Sequence, residues 1–255
     1  MSNAEKDIDS VFFIKIFLVY LCITAVTLLC LLLFFKNFSW VDLSPQAITD
    51  FPESLMLYDK NDELAVTANG GQNRIFIKLD DLPEHVKMAF VAAEDARFYE
   101  HNGIDIKRIF GAALSDIKAG YFKEGGSTIT QQLIKNSHLT GTKKLSRKLQ
   151  EALLACQLES RYTKDEILEM YLNYIYFGNG AYGIEAAAQT YFSKSASELS
   201  VAQAAALAGV IKSPANYSPS AEPENCLARR NHVLELMYRY GFIDFEAYDS
   251  AAKEA

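Results

Sequence analysis

The stretch PEHVKMAFVAAEDARFYEHNG, residues 83–103, decides the fold class. From Pro83 onward Val86, Phe90, Val91 and Ala93 recur at helical spacing, so the stretch predicts an amphipathic helix running up to Glu94. A carboxylate ending an apolar helix is partly desolvated, which disfavours its charged form and raises its proton affinity. Glu94 is therefore a candidate general acid or base, although on this feature alone a solvated helix-end acid is the simpler reading. His101 could suggest a metal ligand, but no HExxH and no His–carboxylate pair accompanies it, and a structural histidine is expected.

Helical spacing continues on the C-terminal side. Ile106, Ile109, Phe110, Ala113, Leu114 and Ile117 keep it, as do Leu145, Leu149, Ala152, Leu153 and Cys156. Thr163 with Glu166 forms a capping box that opens a helix over Lys164–Phe177, stopped by Gly178-Asn179-Gly180. Ser200 with Gln203 opens another over Val201–Ile211, built almost wholly of Ala, Val, Leu and Gly and so expected to be buried on most sides. On the N-terminal side, Leu55–Tyr58, Leu64–Thr67 and Ile75–Leu79 are short apolar or alternating runs separated by Lys60-Asn61-Asp62 and Asn69-Gly70-Gly71, which reads as a small β element.

Ile16–Phe35 contains no charge and is bracketed by Lys15 and Lys36, about the 20 residues a helix needs to cross a bilayer. The run ends on Phe34-Phe35-Lys36 rather than a small-residue cleavage site, so a retained anchor is expected. Lys6 and Lys15 precede it and Lys36 follows, which favours a cytoplasmic N-terminus. The expected organisation is a cytoplasmic N-terminus (1–15), a transmembrane helix (16–35), a linker (36–53) with interfacial Trp40, the β element (54–80), a mainly α-helical domain (81–240) and a C-terminal helical tail (241–255).

The chain has 255 residues, is half hydrophobic and 22% charged, which excludes a disordered protein. A net charge of −7 argues against a general nucleic-acid binder. Of four cysteines, Cys22 and Cys30 fall in the apolar run; Cys156 and Cys226 have no metal-ligand spacing and read as free buried thiols.

Two further features could carry chemistry. In Glu124-Gly125-Gly126-Ser127-Thr128-Ile129-Thr130-Gln131-Gln132 the glycines allow close backbone approach, and the hydroxyls and amides suit sugars or phosphate. A loop followed by a helix N-cap explains the same residues. Lys135, Lys143, Lys144, Arg147 and Lys148 gather in an acidic protein, and Glu151 shares a helix face with Arg147 and Lys148. Such a group is either a surface ion-pair ladder or a diphosphate clamp, and spacing does not separate the two.

The ordered set does. Glu94-Asp95-x-x-Phe98-x-x-His101-x-Gly103, Gly125-Gly126-Ser127-Thr128-Ile129-Thr130-Gln131-Gln132-x-x-Lys135-Asn136, Arg147-Lys148-x-x-Glu151, Ile167-Leu168-Glu169-x-Tyr171-Leu172-Asn173 and Gly183-Ile184-Glu185-Ala186-Ala187-Ala188 with Tyr191-Phe192 resemble the motifs of the peptidoglycan glycosyltransferases of glycosyltransferase family 51. That family supplies the polymerase part of class A penicillin-binding proteins and occurs as monofunctional transglycosylases; the resemblance runs from about Ser54 to the C-terminus. It implies a lysozyme-like, two-lobed, mainly α fold. It implies polymerisation of lipid II, with the acceptor 4-hydroxyl attacking the donor anomeric carbon and undecaprenyl diphosphate leaving with inversion. Glu94 is then the general base, and Glu151 a second catalytic carboxylate whose role stays open. Asp95, Phe98, His101, Gly126, Ser127, Thr128, Gln131, Gln132, Lys135, Asn136, Arg147 and Lys148 fall on substrate-binding positions. No resident metal is implied, but a divalent cation (Mg or Mn) could accompany the substrate diphosphate.

The implied partners are lipid II, the growing glycan strand, the bacterial membrane and other cell-wall synthesis proteins, with the catalytic domain on the outer face of the cell membrane. Ile106–Phe122, apolar on one face with Lys107, Arg108 and Lys118 on others, suits a segment dipping into the interface. Ser115-x-x-Lys118 and Ser250-x-x-Lys253 match Ser-x-x-Lys without a following Lys-Thr-Gly, so no transpeptidase domain is read from this chain. A lysozyme-like hydrolase is the rival enzyme, set aside because hydrolysis needs no diphosphate clamp; a non-catalytic scaffold is the rival outside enzymology.

Overall fold

Thr163 and Ser200 each open a helix as their capping boxes predict, and the helices they start frame the protein's interior. The computed structural model of the protein describes residues 15–29, 43–44, 55–58, 64–68, 73–109, 111, 126–138 and 145–254. The chain divides into two units, Met1–Asp42 and Leu43–Ala255. In the first, residues 15–29 form helix α1 with Phe17, Tyr20 and Leu28 exposed. No helix among the described residues is long and apolar enough to cross a membrane. Residues 30–35 of the expected span, most of the linker and most of 110–125 lie outside the described residues.

In the second unit, β1 (Leu55–Tyr58) and β2 (Leu64–Ala68) form an antiparallel pair at the first two runs read as strands. The third run, Ile75–Leu79, is not a strand: β3 is Asn73–Arg74, paired in parallel with β5 (Ala181–Tyr182), and Leu79–Asp81 is a 3-10 turn. The reason lies in α5 (Lys164–Tyr174; α2 to α4 follow below). Asn173 accepts from Ile77 N at 2.9 Å and donates to Ile77 O at 2.8 Å, and Glu169 accepts from Leu79 N at 2.7 Å. Side chains of a helix thus satisfy the backbone that a neighbouring strand would otherwise have to serve. Helix α5 itself stops at Tyr174, three residues short of expectation. Ile175 turns extended, and β4 (Tyr176–Gly178) pairs antiparallel with β5, which drives Phe177 into the core against Phe90 with ring centroids 5.9 Å apart.

The remaining helices are α2 (Glu84–Glu94), α3 (Ile129–His138), α4 (Leu145–Glu159), α6 (Ile184–Phe192), α7 (Val201–Val210), α8 (Pro223–Arg239) and α9 (Phe245–Lys253). Residue for residue α7 is the most buried: Ala202 and every position from Ala204 to Val210 are closed off from solvent. Its small side chains let α2 and α8 pack closely on it, while α3 packs on α4 and α5. The C-terminal α9 is tied into the same unit: buried Arg230 of α8 donates to Glu254 O at 2.7 Å and Ala252 O at 3.3 Å, answering the open carbonyls of the α9 terminus. Cys226 is buried as expected, but Cys156 is exposed on α4, where its thiol meets Asn102 O at 3.4 Å.

Gly103 joins the loop after α2 to α4. It sits at φ 82°, and a Cβ there would lie 2.6 Å from Cys156 N and 2.8 Å from Ala155 C. Both obstacles are helix backbone, which cannot swing aside. Gly103→Ala should therefore destabilise the fold by about 2–4 kcal/mol, read as a lower urea midpoint with unchanged m. A midpoint within error of the parent would show that the loop is not clamped on α4.

Candidate active site

Glu94 is the last residue of α2, and the chain leaves the helix at once: Asp95 has φ −157°, ψ 73°. This abrupt exit sends two successive carboxylates to different places. Asp95 is fully buried; its Oδ2 accepts from His101 Nε2 at 2.9 Å and from Ile129 N at 3.2 Å. Ile129 is the first residue of α3, so Asp95 places negative charge on that helix's N-terminus. Glu94 instead lines a cleft of about 450 Å³. Its Oε2 accepts from Gln132 Nε2 at 2.7 Å, one turn into α3. The amide's orientation follows from Tyr171, fully buried on α5, whose hydroxyl donates to Gln132 Oε1 over 3.4 Å. Burial first, then the charges of Glu94 and Asp95, push the Tyr171 phenol well above its ordinary value, so it stays a donor.

Glu94 itself is raised above the ordinary glutamate value, chiefly by burial; the Gln132 hydrogen bond and the charges of Arg229, Arg108 and Lys212 pull the other way. Around it the cleft is lined by Arg108, Lys212 and Arg229 together with Arg97, His232 and Arg239. Arg97 is spent on Asp105, which it grips at 2.8 Å, and Arg239 on Glu235 at 2.6 Å. Burial and the neighbouring Arg229 hold the His232 imidazole below its ordinary value, which leaves the cations of this cleft to the arginines and Lys212.

The expected ladder on α4 is present, with its cations reaching the surface and its carboxylate buried. Glu151 is 2% exposed; its Oε1 accepts from Arg147 Nε at 3.1 Å and its Oε2 from Lys148 Nζ at 3.0 Å. Lys148 also donates to Ser127 Oγ at 2.6 Å, joining the glycine-rich loop to α4. A buried carboxylate holding two cations at fixed positions is the arrangement a diphosphate clamp needs, because the cations are placed before the ligand arrives. Lys135 and Asn136 are exposed and, with Gln132, Tyr174, Tyr176 and Pro214, line a second cleft of about 500 Å³. Gln132 touches Glu94 and also lines this second cleft, so it stands between the two.

Four expected site residues are placed in supporting positions. Thr128 and Gln131 are buried and cap α3 reciprocally: Thr128 N donates to Gln131 Oε1 at 3.1 Å and Gln131 N to Thr128 Oγ1 at 3.2 Å. The Thr128 hydroxyl also donates to Gly103 O at 2.7 Å. Phe98 is fully buried beneath the Lys164 ammonium, 4.4 Å from its ring, and His101 is turned onto Asp95. His101 thus has a carboxylate partner that its sequence spacing did not show. Gly126 has open space, with only an Ile109 side-chain carbon 3.8 Å from where a Cβ would sit. Among the described residues no three His, Cys, Asp or Glu side chains converge as metal ligands. Both Glu151 oxygens already face cations, so that carboxylate is poorly suited to a further positive ion.

The sequence profile of the family described as Transglycosylase matches residues 60–238. The chain belongs to the transglycosylase family. Penicillin-binding protein 1A/1B of Bacillus subtilis is 51% identical over 205 residues, 80% of this chain and 22% of that protein. Penicillin-binding protein 1A of Aquifex aeolicus is 48% identical over 203 residues, 80% and 28% respectively. A crystal structure of penicillin-binding protein 1A from Haemophilus influenzae aligns with 28% identity and a TM-score of 0.47 over 80% of this chain and 20% of that one. The transglycosylase chain therefore spans between a fifth and a third of the length of these relatives. Lys212 and Arg229, which reach Glu94 from beyond α7 and from α8, lie more than a hundred residues from it, and no local spacing could have pointed to them.

Burial makes a charged Glu94 unfavourable in the fold. Because its folded value is raised, its contribution to stability is complete below the unfolded value near 4.5 and is lost as pH rises through the folded value. Glu94→Gln keeps an acceptor for Gln132 and removes the charge, so it should raise the melting temperature by roughly 2–5 °C at pH 8, with the gain fading at about pH 4. A variant that melts below the parent at pH 8 would mean that the surrounding cations outweigh burial.

Proposed function

We propose that this chain is a peptidoglycan glycosyltransferase that joins lipid-linked disaccharides into β-1,4-linked glycan, with Glu94 as general base. The observation that carries the reading is the placement of one half-buried carboxylate, oriented by Gln132 at 2.7 Å, beside fixed cations. In the reaction, the acceptor 4-hydroxyl oxygen bonds to the donor anomeric carbon from the face opposite the leaving group. The anomeric carbon–oxygen bond breaks, its electron pair leaves on undecaprenyl diphosphate, and the hydroxyl proton passes to Glu94. A base raised toward neutrality by burial takes a proton as the nucleophile attacks and returns it afterwards. Charge develops on the departing diphosphate, and Lys135, Arg147 and Lys148 are the cations that stabilise it.

The same reading assigns Glu151 a holding role, keeping Arg147 and Lys148 in position at 3.1 and 3.0 Å. A divalent cation, where used, would be held through the substrate's phosphate oxygens, and the proton transfer described needs none of it. A lysozyme-like, two-lobed helical fold, residues 16–35 as a transmembrane anchor and a catalytic domain on the outer face of the bacterial cell membrane complete the proposal. Its support is the family, the uncharged run between Lys15 and Lys36, and a substrate whose polyprenyl chain stays in the bilayer.

Incubation of the purified chain with lipid II, with products sized on a gel, tests it. Long glycan is expected, and Glu94→Gln should lower the rate by about 10³-fold while the protein stays folded. Consumption of preformed glycan to small sugars would identify a hydrolase instead. Lys148→Met should cost about tenfold or more, because it removes a clamp charge and leaves Glu151 buried with one partner fewer.

A further inference from the structure

We propose that Arg108 is a positioning residue for Glu94, holding the end of α2 and setting the charge around the base. This role presupposes that Glu94 is the base, and it adds a residue that none of the motifs contains. Arg108 belongs to a helical segment whose described residues include 106–109. Asp105 caps that segment, accepting Arg108 N at 2.9 Å, and is itself gripped by Arg97, whose Nη2 lies 2.8 Å from both carboxylate oxygens. The segment therefore hangs from the loop that leaves α2, and Arg108 reaches back from it. Its Nη1 donates to the main-chain carbonyl of Glu94 and lies 4.0 Å from Asp95 Oδ1.

Both acceptors need a donor. The Glu94 carbonyl belongs to the last turn of a helix, where carbonyls have no partner within the helix. Asp95 Oδ1 is buried with no hydrogen-bond partner among the described residues. A guanidinium at a helix C-terminus also complements the negative end of the helix dipole. Arg108 has five donors in a rigid fork, so it can hold the carbonyl and still present charge to the cleft that Glu94 lines. Lysine, with a single ammonium, can deliver the charge without reproducing that geometry.

Other groups also face the Glu94 carboxylate: Gln132 from α3, Arg229 from α8, Lys212 just beyond α7 and the Tyr171 phenol from α5. Arg229 and Lys212 act on it through charge, as Arg108 does. Arg108 differs in also bonding to the backbone that carries Glu94. Two effects follow from one side chain. The cation favours the charged form of Glu94, and the hydrogen bond keeps the carboxylate aimed at the position of the attacking hydroxyl.

The test measures polymerisation of lipid II by the full chain, and by Arg108→Met and Arg108→Lys, from about pH 5 to 9. Arg108→Met should lower kcat about tenfold with KM changed less than about twofold, and should move the acidic limb of the kcat profile to higher pH. The sign follows because removing a cation makes Glu94 harder to ionise. Arg108→Lys should return the limb to its parental place while kcat stays depressed. A purely structural role would lower activity without moving the limb, so a folded Arg108→Met whose limb coincides with the parent overturns the proposal. Should Arg108→Met fail to fold, Arg108→Lys carries the test, and parental kcat in that variant overturns it. A parent chain that makes no glycan defeats the glycosyltransferase reading, an outcome distinct from an active parent with silent Arg108 variants.

Discussion

A buried carboxylate calls for donors, and at Asp95 one oxygen takes two of them while the other faces a cation. Asp95 has no exposed surface, and the groups around it come from different parts of the sequence: His101 from the loop, the first N–H of α3, and the Arg108 guanidinium 4.0 Å away. Removing one partner from a buried charge costs about 3–5 kcal/mol, more than most apolar contacts contribute singly. The end of α2 and the start of α3 are therefore locked together at the position where Glu94 and Gln132 must meet. The meeting of Glu94 and Gln132 thus follows from the bonds made by the residue beside Glu94.

The same rule recurs along α4 and α5. Glu151 takes Arg147 and Lys148; Glu159 accepts from Thr130 Oγ1 at 2.5 Å and pairs with Lys164 at 2.7 Å. Each of these carboxylates is held against a cation or hydroxyl that also serves something else: Lys148 reaches Ser127 in the glycine-rich loop, and Lys164 covers the Phe98 ring. Buried ionic networks contribute little net stability compared with apolar packing, but they fix register, because a slipped arrangement would strand a charge. That would suit the proposed diphosphate clamp, whose cations need set positions before the ligand arrives.

Local patterns were legible wherever the physics is local. The Thr163 and Ser200 capping boxes, the buried α7 and the Arg147–Lys148–Glu151 face all follow from spacings of three or four residues, and all are present. What spacing could not show was where a local pattern is overruled from a distance. Ile75–Leu79 alternates like a strand, yet Asn173 and Glu169, some ninety residues on, claim its backbone. Thr128 and Gln131 look like sugar-binding groups by composition, which did not show that each also caps the other at the start of α3. The depth of Glu151 was equally invisible, since an i,i+4 pair reads the same on a surface and in an interior.

Adjacent carboxylates with opposite surroundings explain how one helix end can be both scaffold and reactant. Asp95 turns inward to His101 and the first N–H of α3, while Glu94 turns to a cleft where burial disfavours charge and distant cations restore part of it. Burial raises the proton affinity of Glu94, the direction that suits the base role proposed for it. The distant cations, Lys212 and Arg229, are brought in by the packing of α7 and α8 on α2. A change that loosened that helix packing would retract them from Glu94. The proton affinity of Glu94 thus depends on small-residue contacts in α7 as well as on its own neighbours in the chain.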